Sequence, residues 1–316
     1  MAPRFDRCPP GASAACKAGT GFGRPGAADM QALHTRDDLP LHLRRWTLKS
    51  GARGVVLIVH GLGEHIGRYD ALAAVLNRAG WDVAGYDHRG HGASGGKRGT
   101  IAQPDSLLDD LAVVIDALHS EPQRPLVLLG HSMGGLVAAR FVAEAFAAPR
   151  AQWSRPVHAL VLSSPALDPG MNGAQRALLA LLGRLAPQLA VGNGLKPAWI
   201  SNDPAVVRAY IDDPLVHDRV TPMLVRFIVD AGEQVRRVAS RWCVPTLLLW
   251  AGADRCVAAA GSSAFAAAAP RAWLTHTCYP QMAHEIFNEP DREQPLAELT
   301  RWLGTLPFGA AARPQE

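Results

Sequence analysis

The sequence predicts an α/β chain: a mostly parallel central sheet with helices on both faces and an inserted helical cap. Three observations predict it. Short apolar runs rich in β-branched residues alternate with segments of helical spacing over most of the chain. One of these runs, Leu126–Leu129, leads straight into Gly130-His131-Ser132-Met133-Gly134 and then into helical composition. Between Ser164 and Arg241 the alternation stops and mostly helical residues intervene, as an insertion between two core strands requires.

The elements follow in order. The first 29 residues hold four prolines, five glycines and no apolar run long enough for a signal-peptide core. They are expected to be disordered, with the working chain starting at Met30. Core strands are expected at Leu41–Thr47, Val55–Val59, Trp81–Tyr86, Leu126–Leu129 and Ala159–Ser163, and again at Thr246–Ala251 and Trp273–Cys278. Helices are expected at Ala71–Ala79, Ser106–Ser120, Gly135–Ala147 and Pro295–Leu303. The core then runs over 30–163 and 242–307, the cap over 164–241, and a flexible tail over 308–316.

The chemistry starts at Ser132. A G-x-S-x-G pentapeptide between a strand and a helix holds a serine on a sharp turn, with glycines where a Cβ would collide, and points helix N-terminal amides at it. A serine hydroxyl needs a base to take its proton, and the base needs a carboxylate to orient it. Of the histidines beyond the pentapeptide, His158 opens the very next strand, His217 lies in the cap, and His276 sits in an alternating strand-like run. His284, on the loop Gln281–Pro290, is the expected base. The acid is expected on the loop after Thr246–Ala251, where Asp254 stands at the centre of Gly252–Val257. Its rival Asp87 precedes the serine and is expected to order its own loop. For the oxyanion, the glycines flanking Leu62 in His60–His65 let its N–H turn inward, and Met133 N–H follows the nucleophile; these two amides are the expected donors. A metal reading of His60, Glu64 and His65 needs a helix that the two glycines oppose.

Taken together, HGLGEHIGRY, YDHRGHGASGG, GHSMGG, SNDPAVVRAYIDDPLV, GADRCV and AHEIFNEP resemble, in order and spacing, the monoacylglycerol lipase and lysophospholipase family of serine α/β-hydrolases. The resemblance runs from about Met30 to Leu306. It implies the α/β-hydrolase fold, Ser132, Asp254 and His284 as catalytic residues, Leu62 and Met133 as oxyanion donors, and Glu64 and Arg68 at the polar end of the substrate site. A structural salt bridge beneath the loop is the alternative for that last pair. Gln281 stands where the family has a glycine and Ala283 where it often has an aromatic residue, which touches the alcohol pocket more than the chemistry.

Composition narrows the rest. A chain of 316 residues with 48% hydrophobic content can bury one large core. Its net charge of +4 forms no basic stripe interleaved with aromatics, so nucleic acid is not an expected partner. Cys8, Cys16, Cys243, Cys256 and Cys278 outline no disulfide framework, so a reducing cytoplasm is the expected compartment. Cys256, close to Asp254, is read as a packed thiol. In the cap, Leu178, Leu182, Leu185 and Leu189 recur at helical spacing, widened by Leu181, with Arg176, Arg184 and Lys196 nearby. Leu178 and Leu182 are therefore expected to wall the acyl chain, and the basic-flanked stripe to touch membrane or micelle peripherally. The expected activity is hydrolysis of single-chain lipid esters through an acyl-enzyme, with no metal or cofactor. Other hydrolases on the same residues (small-ester esterase, thioesterase, peptidase) and a non-catalytic binding module remain the alternatives.

Overall fold

The computed structural model describes residues 33–118 and 124–308. The expected amino-terminal extension, Cys8 and Cys16, and all but the first residue of the expected tail lie outside the described residues.

Seven strands form the central sheet: β3 (Leu43–Trp46), β4 (Val55–Val59), β5 (Asp82–Tyr86), β6 (Leu126–His131), β7 (Ala159–Ser163), β10 (Thr246–Ala251) and β11 (Leu274–Tyr279), in the spatial order β11-β10-β7-β6-β4-β5-β3. All pairings are parallel except β3 with β5 at one edge. The apolar runs are continuous because both faces are covered. Val56, Ile58, Val127, Leu129, Val161 and Leu247 face a cluster with α1 (Asp70–Arg78) and α8 (Glu293–Thr305). Their neighbours Leu57, Val59, Leu128, Leu160, Leu162 and Leu248 face the opposite cluster, with α2 (Ser106–Leu118) and α3 (Met133–Ala143). The two-residue period of the pleat divides each run between the two cores.

The first expected strand breaks in two. β2 (Pro40–Leu41) pairs with β1 (Leu33–His34) in a separate ribbon, and at His42 between β2 and β3 the N–H is diverted to Ser94 Oγ at 2.8 Å while the carbonyl still accepts Asp87 N–H at 2.9 Å. α7 (Ala259–Ala268), which was not foreseen, is rich in alanine and serine around its circumference and shows no apolar stripe, yet it buries Phe265.

Between β7 and β10 lie α4 (Gly173–Leu185), α5 (Pro204–Asp212), α6 (Pro222–Val238) and a ribbon of β8 (Val191–Gly192) with β9 (Arg219–Val220). The segment expected as cap is not uniform. Thr221 Oγ1 caps α6, whose Leu224, Phe227, Ile228, Ala231 and Val235 join the core cluster with α3. α4 buries no residue fully, although Asn172 and Gln175 close a capping box at its start. α5, also ahead of α6, buries none either.

Candidate active site

Ser132, Asp254 and His284 all follow the carboxyl ends of parallel strands, where α/β sheets place their ligands. Ser132 follows β6 with φ 54° and ψ −121°, a left-handed conformation that costs a non-glycine residue roughly 1–3 kcal/mol. Its surroundings impose it: Ser132 N–H donates to Ser163 O at 3.0 Å, and Ser132 O accepts from Leu136 N at 3.0 Å and Ala166 N at 2.9 Å. A Cβ on Gly130 would stand 2.6 Å from Gly135 Cα, and one on Gly134 would enter the carbonyl oxygens of Val59 and His60. Only glycine at both positions lets strand, turn and helix close so tightly.

His284, buried on the loop after β11, has its Nδ1 2.7 Å from Asp254 Oδ2. The other oxygen of Asp254 accepts Cys256 N at 2.8 Å and Val257 N at 3.1 Å. Burial by itself would raise the Asp254 carboxyl, but the bond and charge of His284 and the two amides outweigh it and hold it below the usual carboxylate range. An ionised Asp254 keeps the imidazole proton on Nδ1 and leaves Nε2 as acceptor. Ser132 and His284 line one cavity of about 370 Å³. His131 packs its ring 4.7 Å from that of His284; burial, then the charge of His284, pushes it down to about 4, so it stays neutral beside the base.

Leu62 lines the same cavity, and Met133 opens α3, where first-turn amides have no intrahelical partner. The loop of Leu62 is held from below. Glu64 Oε1 accepts Gly61 N and Tyr69 Oη, each at 2.7 Å, and Oε2 accepts Arg68 Nη1 at 2.6 Å. Burial would raise Glu64, but Arg68 and then His131 and His60 overcome it and bring it down to about 2. Glu64 lines the cavity, whereas Arg68 lies behind it between Glu64 and Glu285 and against the Tyr210 ring. The pair thus combines the two readings open from the sequence: a salt bridge under the loop, with one member exposed to the cavity.

One expectation about the cap needs correction. Leu178 is 54% exposed and Leu182 half-buried, and no residue of α4 lines the cavity, because the leucine stripe of α4 turns outward. The apolar wall comes from Leu195, Pro197, Ile200, Ile211 and Val216 instead. These are spread over loops, the turn Pro197–Trp199 and the end of α5, so no single helical stripe joins them. His217, also in the cap, is half-buried on the cavity wall, its ring 4.6 Å from that of His91.

The remaining candidates have other tasks. Asp87 accepts Ile66 N at 2.7 Å and Ala93 N at 2.8 Å, tying two loops together. His276 is exposed on β11 beside the Trp250 ring. Each side chain of the His60, Glu64 and His65 cluster is engaged elsewhere: His60 with Gly61 O and His88 N, and His65 with Asp213. Among the described residues the one group of three possible metal ligands is Asp254, Cys256 and His284, of which two are already bonded to each other. Burial and the Asp254 charge push the Cys256 thiol up, so it remains protonated and no rival nucleophile.

A family model described as serine aminopeptidase, S33, matches residues 50–291. The monoacylglycerol lipase of Mycolicibacterium smegmatis is 34% identical over 262 residues, 82% of this chain and 90% of the relative. The monoglyceride lipase of Rattus norvegicus is 30% identical over 294 residues, 90% of this chain and 93% of the relative. Among solved structures, the Paleococcus ferrophilus monoacylglycerol lipase superposes with a TM-score of 0.72 at 34% identity, covering 83% of this chain and 98% of that one. Fold, strained serine and sequence likeness over most of the chain converge, and the chain belongs to the monoacylglycerol lipase-type serine hydrolases of the α/β-hydrolase fold.

Proposed function

We propose that this enzyme hydrolyses monoacylglycerols, with Ser132 as nucleophile, His284 as base and Asp254 as its orienting acid. The observation that carries the reading is the 2.7 Å His284–Asp254 pair, whose His284 shares one cavity with a serine on a strained elbow. Ser132 Oγ attacks the ester carbonyl while His284 Nε2 takes its proton, and the Leu62 and Met133 amides receive the oxyanion. His284 then protonates the departing glycerol oxygen, the C–O bond breaks, and the acyl group stays on Ser132. Water enters, gives its proton to His284 and attacks the acyl carbonyl; that proton returns to Ser132 as the fatty acid leaves.

The cavity's charge favours a neutral head group over a phosphate. Of the carboxylates that line it, Glu64 and Glu285 share the one guanidinium of Arg68 and Asp218 pairs with Arg219, and with Asp213 set against Lys196 no excess of positive charge is left to hold an anion. Its apolar wall suits the acyl chain. The test is a hydrolysis screen of monoacylglycerols, lysophosphatidylcholine, short p-nitrophenyl esters and amino-acid p-nitroanilides. Monoacylglycerols should be fastest by kcat/KM; fastest turnover of lysophosphatidylcholine, acetate or anilide overturns the assignment.

The cap supports peripheral contact with anionic lipid. Leu178, Leu181, Leu185, Leu189 and Val191 are exposed, with Arg176 and Arg184 on the same helix as three of them. No helix among the described residues is long and apolar enough to cross a membrane. Cosedimentation with anionic vesicles should be lost in Leu181→Ser/Leu185→Ser while hydrolysis of soluble esters persists; unchanged cosedimentation removes the docking role. We assign the enzyme to a reducing, cytoplasmic setting, in keeping with free Cys243, Cys256 and Cys278.

A further inference from the structure

The base and the oxyanion loop are carried by strands far apart in the sheet. His284 follows β11 and Leu62 follows β4, with β10, β7 and β6 between them. Four inter-strand steps of about 4.8 Å put the two strands roughly 19 Å apart. Each loop must reach across that span to meet above Ser132, and a loop anchored only at its own strand would let the proton acceptor and the amide donors drift independently.

Glu285, the residue after His284, closes this gap. Its carboxylate accepts Arg68 Nη1 at 2.7 Å and Nη2 at 2.8 Å, a two-pronged ion pair between residues 217 apart in sequence. The same Arg68 Nη1 donates to Glu64 Oε2 at 2.6 Å, and Glu64 Oε1 holds Gly61 N–H, one residue before Leu62. Asn288 Nδ2 fixes Glu285 Oε2 at 2.8 Å, and Glu285 N–H donates to Ile200 O of the cap at 2.7 Å. Glu285 and Glu64 are both buried, and Arg68 is nearly so. One guanidinium therefore links the base loop rigidly to the oxyanion loop, where water competes little for the bonds.

We propose that Glu285 is a positioning residue which, through Arg68 and Glu64, sets the distance between His284 and the oxyanion amides. This rests on the serine-hydrolase mechanism proposed above, but not on which ester is the natural substrate. The clamp acts in the transition state, because only there do base and amides have to engage one substrate atom group together.

The experiment measures two rates in the full chain, each normalised to the number of intact sites by titration. They are the rate of inactivation by a fluorophosphonate, and kcat with KM on both p-nitrophenyl butyrate and a monoacylglycerol. Glu285→Ala should lower the inactivation rate and both kcat values by the same factor, about 10- to 100-fold, with KM nearly unchanged. Arg68→Ala should do likewise, and the double variant should be no worse than either single one. Should Glu285→Ala fail to fold, the isosteric Glu285→Gln gives the same reading with a smaller loss.

Rates per intact site that match wild type, with only the melting temperature or intact fraction reduced, would overturn the proposal. So would a loss confined to KM for the glycerol ester, which would make Glu285 a substrate contact, or additive effects in the double variant. A wild type that is labelled but does not favour monoacylglycerols sinks only the substrate assignment. One that is not labelled at all sinks both.

Discussion

Replacing Asp254 by asparagine tests the acid with almost no change of shape. Asp254 Oδ1 accepts two backbone amides, Cys256 N at 2.8 Å and Val257 N at 3.1 Å, so the asparagine carbonyl must take that position. Its NH2 then faces His284 Nδ1, where the wild-type oxygen sits at 2.7 Å. A donor there forces Nδ1 to accept, which moves the imidazole proton to Nε2, the nitrogen that has to take the serine proton. The ring is then in the wrong tautomer, and it also loses the carboxylate that stabilises the imidazolium. Loss of this function costs about ten-thousand-fold in kcat, or about 5 kcal/mol of transition-state stabilisation. The assay is p-nitrophenyl butyrate turnover with thermal melting in parallel, and the melting temperature should move by only a few degrees. Asp87→Asn is the control. Asp87 uses both oxygens on backbone donors, Ile66 N and Ala93 N, and an amide can accept only one of them, so stability should fall by about 1–3 kcal/mol while kcat stays within about tenfold. A drop of less than about 100-fold for Asp254→Asn, or the two variants exchanging phenotypes, would refute the assignment.

Other outcomes follow from the same geometry. Ser132→Ala should lower ester turnover by about a million-fold with the fold intact. Ser132→Gly should be equally inactive yet more resistant to urea by about 1 kcal/mol, since glycine accepts φ 54° without strain; no gain would show that the elbow stores little. Acidification should destabilise the fold between pH 6.5 and 4: buried His131 titrates at about 4 when folded and near 6.5 when unfolded, so over this interval the unfolded chain binds more protons. That one group removes roughly 3 kcal/mol by pH 4; burial of His60, His88, His91 and His217 acts in the same direction and outweighs the opposing carboxyl of Asp110, which burial raises to about 6, and urea midpoints independent of pH across the window would contradict it. Leu195→Ser/Ile211→Ser should flatten the preference for longer acyl chains, at about 0.8 kcal/mol per methylene no longer covered, while acetate esters react as before; an equal loss on all chain lengths would remove these residues from the acyl wall.

The sequence by itself determined what is local and periodic. Continuous apolar runs announced the parallel strands because burial on both faces leaves no polar alternation to mislead, and the glycines on either side of Ser132 announced the elbow because only glycine admits Gly134 and Gly135 against Gly130, and Val59 and His60 against Gly134. Asp254 and His284 could be picked out because each follows a recognisable strand. Only the tertiary structure decided how the segments meet. Leu178 and Leu182 satisfy helical spacing perfectly well, but spacing defines a stripe and not the direction it faces, and packing of α6 into the core leaves that of α4 turned to solvent. The residues that do line the cavity, from Leu195 to Val216, are spread over loops, the turn Pro197–Trp199 and the end of α5, so no single stripe links them. Of the Glu285–Arg68–Glu64 clamp the chain offered only the Glu64–Arg68 half, four residues apart; Glu285 lies 217 residues from Arg68, and an ion pair leaves no pattern in either neighbourhood until the fold brings the two charges within 3 Å.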